Sequence, residues 1–280
     1  MDAASLRRAL SQRLQRLPRK FTQARKPDLD KQDVQFASTV GYQLSGRITR
    51  PDTEARAPGL VVSPAIHQGR AELERMGGPV TADELASVGY TVLTFDPAGR
   101  GDSWGEEDFG GPEHQDDLRR AVEHLARVTG GPVGVLSLSL GLAAAVGALA
   151  RHPDLPVRWL VDWEGPCDRE TITAGGTRMD PAAGHRLDDE DYWHSREAVR
   201  HVPKLRCGYV RMQALPDHAQ PLELRHAERM MRTVQTGSLP WFQLNDHPRG
   251  SVPSRPTWLD GGTLAANLAL LRKLAALSAG

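Results

Sequence analysis

Between Pro132 and Gly141 a short apolar run ends in Ser137-Leu138-Ser139-Leu140-Gly141 and passes at once into an alanine-rich stretch, Leu142 to Ala150. A strand that reverses into a helix so abruptly holds its central residue in a strained backbone and lifts that side chain off the end of the sheet. The positions two before and two after it must be small, because strand and helix backbones pass close together there. Ser137 and Gly141 meet that demand. Ser139 is then a nucleophile at the first turn of a helix. Its oxyanion would be met by the Leu140 N–H and the positive end of the helix. The plain alternative is a small-residue turn with an incidental serine, since the first position is Ser137 where such turns usually carry glycine.

The elements that must position this turn alternate along the chain. Val34 to Arg50 alternates around Gly41 and predicts an antiparallel hairpin or a pair of edge strands. Strands follow at Leu60–Val62, Tyr90–Phe95, Val133–Leu136, Trp159–Trp163, Gly208–Met212 and Trp241–Leu244. Between them helices are predicted from about Thr81 to Ser87, Pro112 to Val128, Leu142 to Ala150, Pro221 to Val234 and Leu264 to Leu277. Continuous apolar strands alternating with helices imply a doubly wound, mostly parallel sheet covered on both faces. The 280 residues, 39% hydrophobic, suffice for one α/β domain with a large core. We place it at residues 32–280.

Two segments stand apart. Residues 1–31 carry Leu6, Leu10, Leu14 and Leu17 at helical spacing among arginines, ended by Pro18. This predicts a basic amphipathic helix and linker whose leucine stripe packs on the domain or on a second subunit, giving a homodimer. Residues 165–203 break the strand–helix rhythm with Gly175-Gly176 and the acidic run Asp188 to Asp191. An insertion of that kind is expected to act as a lid. The acidic run, flanked by His185 and His194, matches no metal-ligand spacing and reads as a solvated face. No metal or other cofactor is expected.

Thirty-five basic residues balance 35 acidic ones, which gives no electrostatic case for nucleic acid. No apolar run approaches the roughly 20 residues of a membrane span, and no secretory signal is read at the N-terminus. Cys167 and Cys207 fit no paired-cysteine pattern and need no disulfide. The expectation is a soluble cytoplasmic protein.

Four places, in order, resemble the α/β-hydrolase superfamily from about Val34 onward. They are the loop Asp96-Pro97-Ala98-Gly99-Arg100-Gly101-Asp102-Ser103, the turn around Ser139, Asp217 with Pro221 after the Tyr209–Met212 strand, and His247 in Asn245-Asp246-His247-Pro248. The branch that it is most similar to is that of dienelactone hydrolases and prolyl-oligopeptidase-like enzymes. The resemblance implies a sheet of about eight strands and a triad in the order Ser139, Asp217, His247. A serine hydroxyl needs an imidazole to remove its proton, the role of His247. That imidazole needs a carboxylate to fix its tautomer, the role of Asp217. Glu164, at the end of the Trp159–Trp163 strand, competes for the acid's place, because some members of this fold carry it there.

The family's second oxyanion donor follows its first buried strand, usually in a His-Gly pair. This chain has Ser63-Pro64-Ala65-Ile66-His67-Gln68-Gly69 instead, which leaves Ile66 or Ala65 as donor, since Pro64 has no N–H. His67 is expected to line the pocket or cap the loop. Trp193 is expected to face an apolar substrate or to anchor the lid. The implied activity is hydrolysis of a small-molecule ester, thioester or amide through an acyl-Ser139. The rival reading is a non-hydrolytic member that transfers acyl groups or only binds a ligand, in keeping with the altered turn and the missing His-Gly.

Overall fold

In the computed structural model, residues 28–52, 57–75, 79–174, 188–215, 217, 225–252 and 263–278 are described. Among the described residues the first elements are β1 (Leu29–Ala37) and β2 (Gln43–Pro51), an antiparallel hairpin in register from Leu29 opposite Pro51 to Ala37 opposite Gln43. There follow β3 (Gly59–Ser63), α1 (Arg70–Glu74), α2 (Ala82–Ser87), β4 (Thr91–Phe95), α3 (Pro112–Thr129), β5 (Val133–Leu138) and α4 (Gly141–Arg151). The second half runs β6 (Val157–Trp163), α5 (Arg169–Ala174), α6 (Glu190–His194), α7 (Ala198–His201), β7 (Gly208–Met212), α8 (Arg225–Val234), β8 (Phe242–Leu244) and α9 (Leu264–Ser278).

These strands make one eight-stranded sheet in the order β1-β2-β4-β3-β5-β6-β7-β8. Every pairing from β4 through β8 is parallel, and only β2 runs against its neighbours. Strands β3, β4, β5 and β7 are buried at every position, as a parallel sheet covered on both faces requires. One apolar layer joins Val61 and Val135 to Leu118, Val122 and Leu125 of α3, with α4 and α8 beside them. The opposite layer joins Leu60, Val62 and Leu136 to Leu85 of α2 and Leu270, Leu271 and Leu274 of α9.

Local chemistry sets the helix ends. Thr81 and Glu84 close a capping box ahead of α2, each satisfying the other's main-chain N–H at 3.2 and 2.9 Å. Pro112 starts α3, and Gly130 ends it in the left-handed conformation.

Two sequence expectations need revision. The first strand begins at Leu29, inside the stretch expected to be a linker. Asp30, Lys31, Gln32 and Asp33 are all exposed there, so no apolar alternation marks the strand. The latter part of the expected lid is built into the body. Trp193, Ala198 and Val202 are fully buried, and Arg196 pairs with Asp108 of the loop after β4. The acidic run caps and braces this part: Asp189 accepts the Tyr192 N–H, and Glu190 pairs with Arg169 and Arg200. The predicted amphipathic helix falls in residues 1–27, and Gly175-Gly176 and Pro221 fall in other segments, all outside the described residues. Among the described residues no helix is long and apolar enough to cross a membrane.

Candidate active site

The turn from β5 into α4 is as tight as its residue types require. Ser139 has φ 49°, and its N–H donates to the Trp163 carbonyl of β6 at 3.1 Å. A Cβ at Gly141 would lie 2.5 Å from the Ser63 carbonyl oxygen and 2.6 Å from that of Pro64, so glycine alone fits. Ser137, fully buried, donates its hydroxyl to the Val161 carbonyl at 3.0 Å. A serine at the first position of the motif is thus hydrogen-bonded within the sheet and leaves the turn intact.

Five non-glycine residues take positive φ among the described residues: His67, Phe109, Ser139, Glu164 and Asn245, at 54°, 46°, 49°, 53° and 47°. They fall after β3, β4, β5, β6 and β8 respectively, all beyond the C-terminal ends of strands. Backbone strain of this kind persists where the surrounding structure over-determines it, and it concentrates at working sites.

On the β3–β4 side the loops are cross-tied. Asp96, almost wholly buried, accepts the Arg70 N–H at 2.7 Å and the Asp102 N–H at 3.2 Å. Ile66 and Leu140 line one small pocket of about 10 Å³, together with Ser63, Pro64 and Gly141. Among the described residues neither the Ile66 N–H nor the Leu140 N–H has a hydrogen-bond acceptor. Behind them Trp193 packs with Leu140, Ala143 and Ile172, against Ile66 and Tyr192. Its indole is completely buried, so of its two expected roles the structure supplies the anchor. His67 is exposed at the loop tip, edge-on to Phe109 at 5.7 Å. Phe109 carried no signal in the sequence. His114 also lines the pocket, and burial and then the nearby Arg100 charge push its imidazole down to about 4.

The β6–β8 side is organised around a buried polar network. Asp162 and Arg211 form an ion pair with neither side chain exposed, and the Tyr209 hydroxyl donates to the same carboxylate. Burial, and then the Asp162 charge, hold the Tyr209 hydroxyl well above its ordinary pKa. Burial works against the Arg211 charge, yet Asp162 and its other acidic neighbours raise that pKa overall. Arg211 also donates to Gln213 Oε1 and approaches His226 Nδ1 at 3.4 Å. With Nδ1 facing a donor, the His226 proton lies on Nε2, which meets Asp217 Oδ2 at 3.0 Å. Gln213 Nε2 donates to that oxygen as well, at 2.7 Å.

Asp217 is therefore paired with His226 and Gln213. His247 stands one turn past β8, half-buried, with its N–H on the Leu244 carbonyl at 3.0 Å. Among the described residues its ring has no hydrogen-bond partner, so Ser139, Asp217 and His247 are not joined by hydrogen bonds. Glu164 follows β6 directly, and its Oε1 accepts the Ala214 N–H at 2.8 Å. Asn245 clips the two loops together, accepting the Gln213 N–H at 2.9 Å and donating to the Gln213 carbonyl at 3.1 Å. Sequence reasoning missed His226, Gln213 and Asn245. Only Asn245 had a signal, its place two residues before His247.

No protein-family model and no curated protein sequence matches the chain. Solved structures do. A Pyrococcus furiosus esterase superposes with a TM-score of 0.59 at 17% identity, over 77% of this chain and 81% of that one. Brefeldin A esterase, a bacterial homologue of human hormone-sensitive lipase, gives 0.60 at 16% identity over 99% and 83%. A Pyrococcus horikoshii acylaminoacyl peptidase gives 0.60 at 16%, over 78% of this chain but 37% of the peptidase. Likeness at such identities speaks to architecture. With the strand order and the strained turn after β5, it identifies the chain as a protein of the α/β-hydrolase fold.

Proposed function

We propose that the protein is a serine hydrolase that cleaves an ester, thioester or amide bond through an acyl-enzyme on Ser139. The observation that carries this reading is the turn itself. A serine is held at φ 49° where β5 meets α4, while Leu140 and Ile66, whose N–H groups have no acceptor among the described residues, line one pocket. Such donors meet the negative charge that develops on a carbonyl oxygen under attack. His247 takes the Ser139 proton and returns it to the leaving group, after which water releases the acyl group by the same route. The esterase and peptidase neighbours agree with acyl transfer but do not choose the acyl group.

Two carboxylates suit the orienting role by fold position. Asp217 follows β7, and its Oδ2 already accepts from His226 and Gln213, so His247 would have to approach a carboxylate that is partly engaged. Glu164 is favoured by one specific observation, its strained backbone at the end of the strand beside the nucleophile's own.

Labelling with a fluorophosphonate probe tests the proposal. Ser139 is expected to be the modified residue, and Ser139→Ala to lose on the order of 10⁴ or more in kcat on a p-nitrophenyl ester, with little change in Tm. Retained turnover in that variant would overturn the assignment of Ser139 as nucleophile, and a wild-type chain inert to the probe would point to a ligand-binding role.

A further inference from the structure

We propose that Arg100 is a positioning residue for the oxyanion hole, holding the peptide unit whose N–H is that of Ile66. The proposal rests on the serine-hydrolase reading and deepens it. Arg100 occupies the variable place between Gly99 and Gly101, and its side chain is only 8% exposed. Gly101 has φ 52°, and a Cβ there would lie 2.4 Å from the Asp96 carboxyl carbon. The Asp96 anchor and this glycine together turn the chain so that the guanidinium reaches the neighbouring loop.

One edge of the guanidinium is fixed by Glu107, with Nε to Oε2 at 2.6 Å and Nη2 to Oε1 at 2.8 Å. Glu107 is itself tied to the Phe109 N–H at 2.8 Å. The remaining nitrogen, Nη1, donates to the carbonyls of Ala65 at 2.8 Å and Gln68 at 3.0 Å. Those carbonyls lie at the two ends of the turn that the Gln68 N–H closes on Ala65, and within it His67 sits at φ 54°.

The Ala65 carbonyl and the Ile66 N–H belong to one peptide plane. In a trans peptide they point in opposite directions. Drawing the carbonyl onto Arg100 therefore turns the Ile66 N–H away from it and stops the plane from rotating. An arginine suits this task better than a lysine. Its planar fork spans a carboxylate on one side and two carbonyls on the other, and it stays charged at every working pH. Oxyanion donors act through preorganisation, so a plane free to swing loses catalytic effect even though no donor has been removed.

The test compares wild type, Arg100→Met and Arg100→Lys by rate of fluorophosphonate labelling at Ser139, by kcat and KM on a p-nitrophenyl ester, and by affinity for a trifluoromethyl ketone. In Arg100→Met the labelling rate, kcat and ketone affinity are expected to fall together by about 10–100-fold while KM holds within about twofold. A merely structural role would lower the amount of folded enzyme and leave these constants per folded molecule unchanged. Arg100→Lys keeps a charged donor but loses the fork, so it covers the case in which the methionine variant does not fold. It is expected to show a smaller drop in the same constants. Wild-type constants in whichever variant folds would overturn the positioning role alone. A wild-type chain that neither labels nor turns over would overturn the hydrolase reading, and this proposal with it.

Discussion

The two halves of the sheet's C-terminal edge are built on different principles. On the β3–β4 side, polar side chains hold main-chain groups: Asp96 takes the N–H groups of Arg70 and Asp102, and Arg100 takes the carbonyls of Ala65 and Gln68. On the β6–β8 side, polar side chains mostly hold one another, in the set Asp162, Tyr209, Arg211, Gln213, Asp217 and His226. The first arrangement fixes the main chain beside a pocket lined by Ile66 and Leu140, whose N–H groups have no acceptor among the described residues. The second fixes carboxylates among partners that already satisfy them. On the proposed reading, the half that would bind the carbonyl oxygen is tied down through main-chain groups, and the half that would handle the proton is tied down through side chains. Apo geometry of this kind often tightens only when a substrate is bound.

The sharpest way to test that contrast is the acid. Asp217→Asn and Glu164→Gln are each made in the full chain and assayed for kcat. The variant that removes the true orienting carboxylate is expected to lose about 10⁴ in kcat, as an amide holds the wrong imidazole tautomer. If Asp217 is the residue, its carboxylate serves His247 as well as the buried network. If Glu164 is the residue, Asp217 belongs to the scaffold and its variant shows mainly as lost stability.

Arg211→Met breaks the buried network and leaves Asp162 without its cation. It is expected to cost about 3–5 kcal/mol in unfolding free energy, read from denaturant midpoints. Trp193→Ala strikes the other half at comparable cost, about 3–5 kcal/mol. Its companion effect is different, because the indole lies against Ile66 and Leu140, so the fluorophosphonate labelling rate should fall as well. A labelling rate unchanged in Trp193→Ala would show that the donors hold their places without that wedge.

The smallest effect at neutral pH concerns His114. Its folded pKa of about 4 lies below the ordinary 6.5, so the unfolded chain binds the proton more tightly. The stability it gives is complete above about pH 6.5 and is lost as pH falls through about 4. A His114→Gln chain should therefore show a flatter decline of Tm with acid than wild type, with unchanged Tm differences above pH 7. Parallel profiles would remove His114 from the account.

Much of the fold was legible because its signals are local. Buried strands such as Leu60–Val62, the helix beginning near Thr81 and the turn at Ser139 each declare themselves within a few residues. The β3–β4 side was legible in outline for the same reason, its anchors lying in one eight-residue loop motif from Asp96 to Ser103. The capture of Asp217 by His226 was not. It depends on α8 packing beside β7 so that Arg211 can orient the ring, and no spacing rule encodes that meeting. The choice between the two roles of Trp193 was not legible, since a polar, acidic segment conceals a few apolar side chains that are fully buried. The start of β1 was missed because an edge strand with both flanks in water has no need of alternation.

That same strand bears on how the molecule behaves in company. A sheet edge exposes a row of unpaired main-chain donors and acceptors, which is a template for a strand from another chain. Here one edge is the hairpin strand β1, with Asp30, Lys31, Gln32 and Asp33 facing solvent, and the other is β8, only three residues long. Charge at one border and brevity at the other leave an incoming strand little to zip onto. An open sheet of eight strands is thereby able to stay a sheet of eight in a crowded solution, where a longer and more apolar border would recruit copies of itself into aggregates.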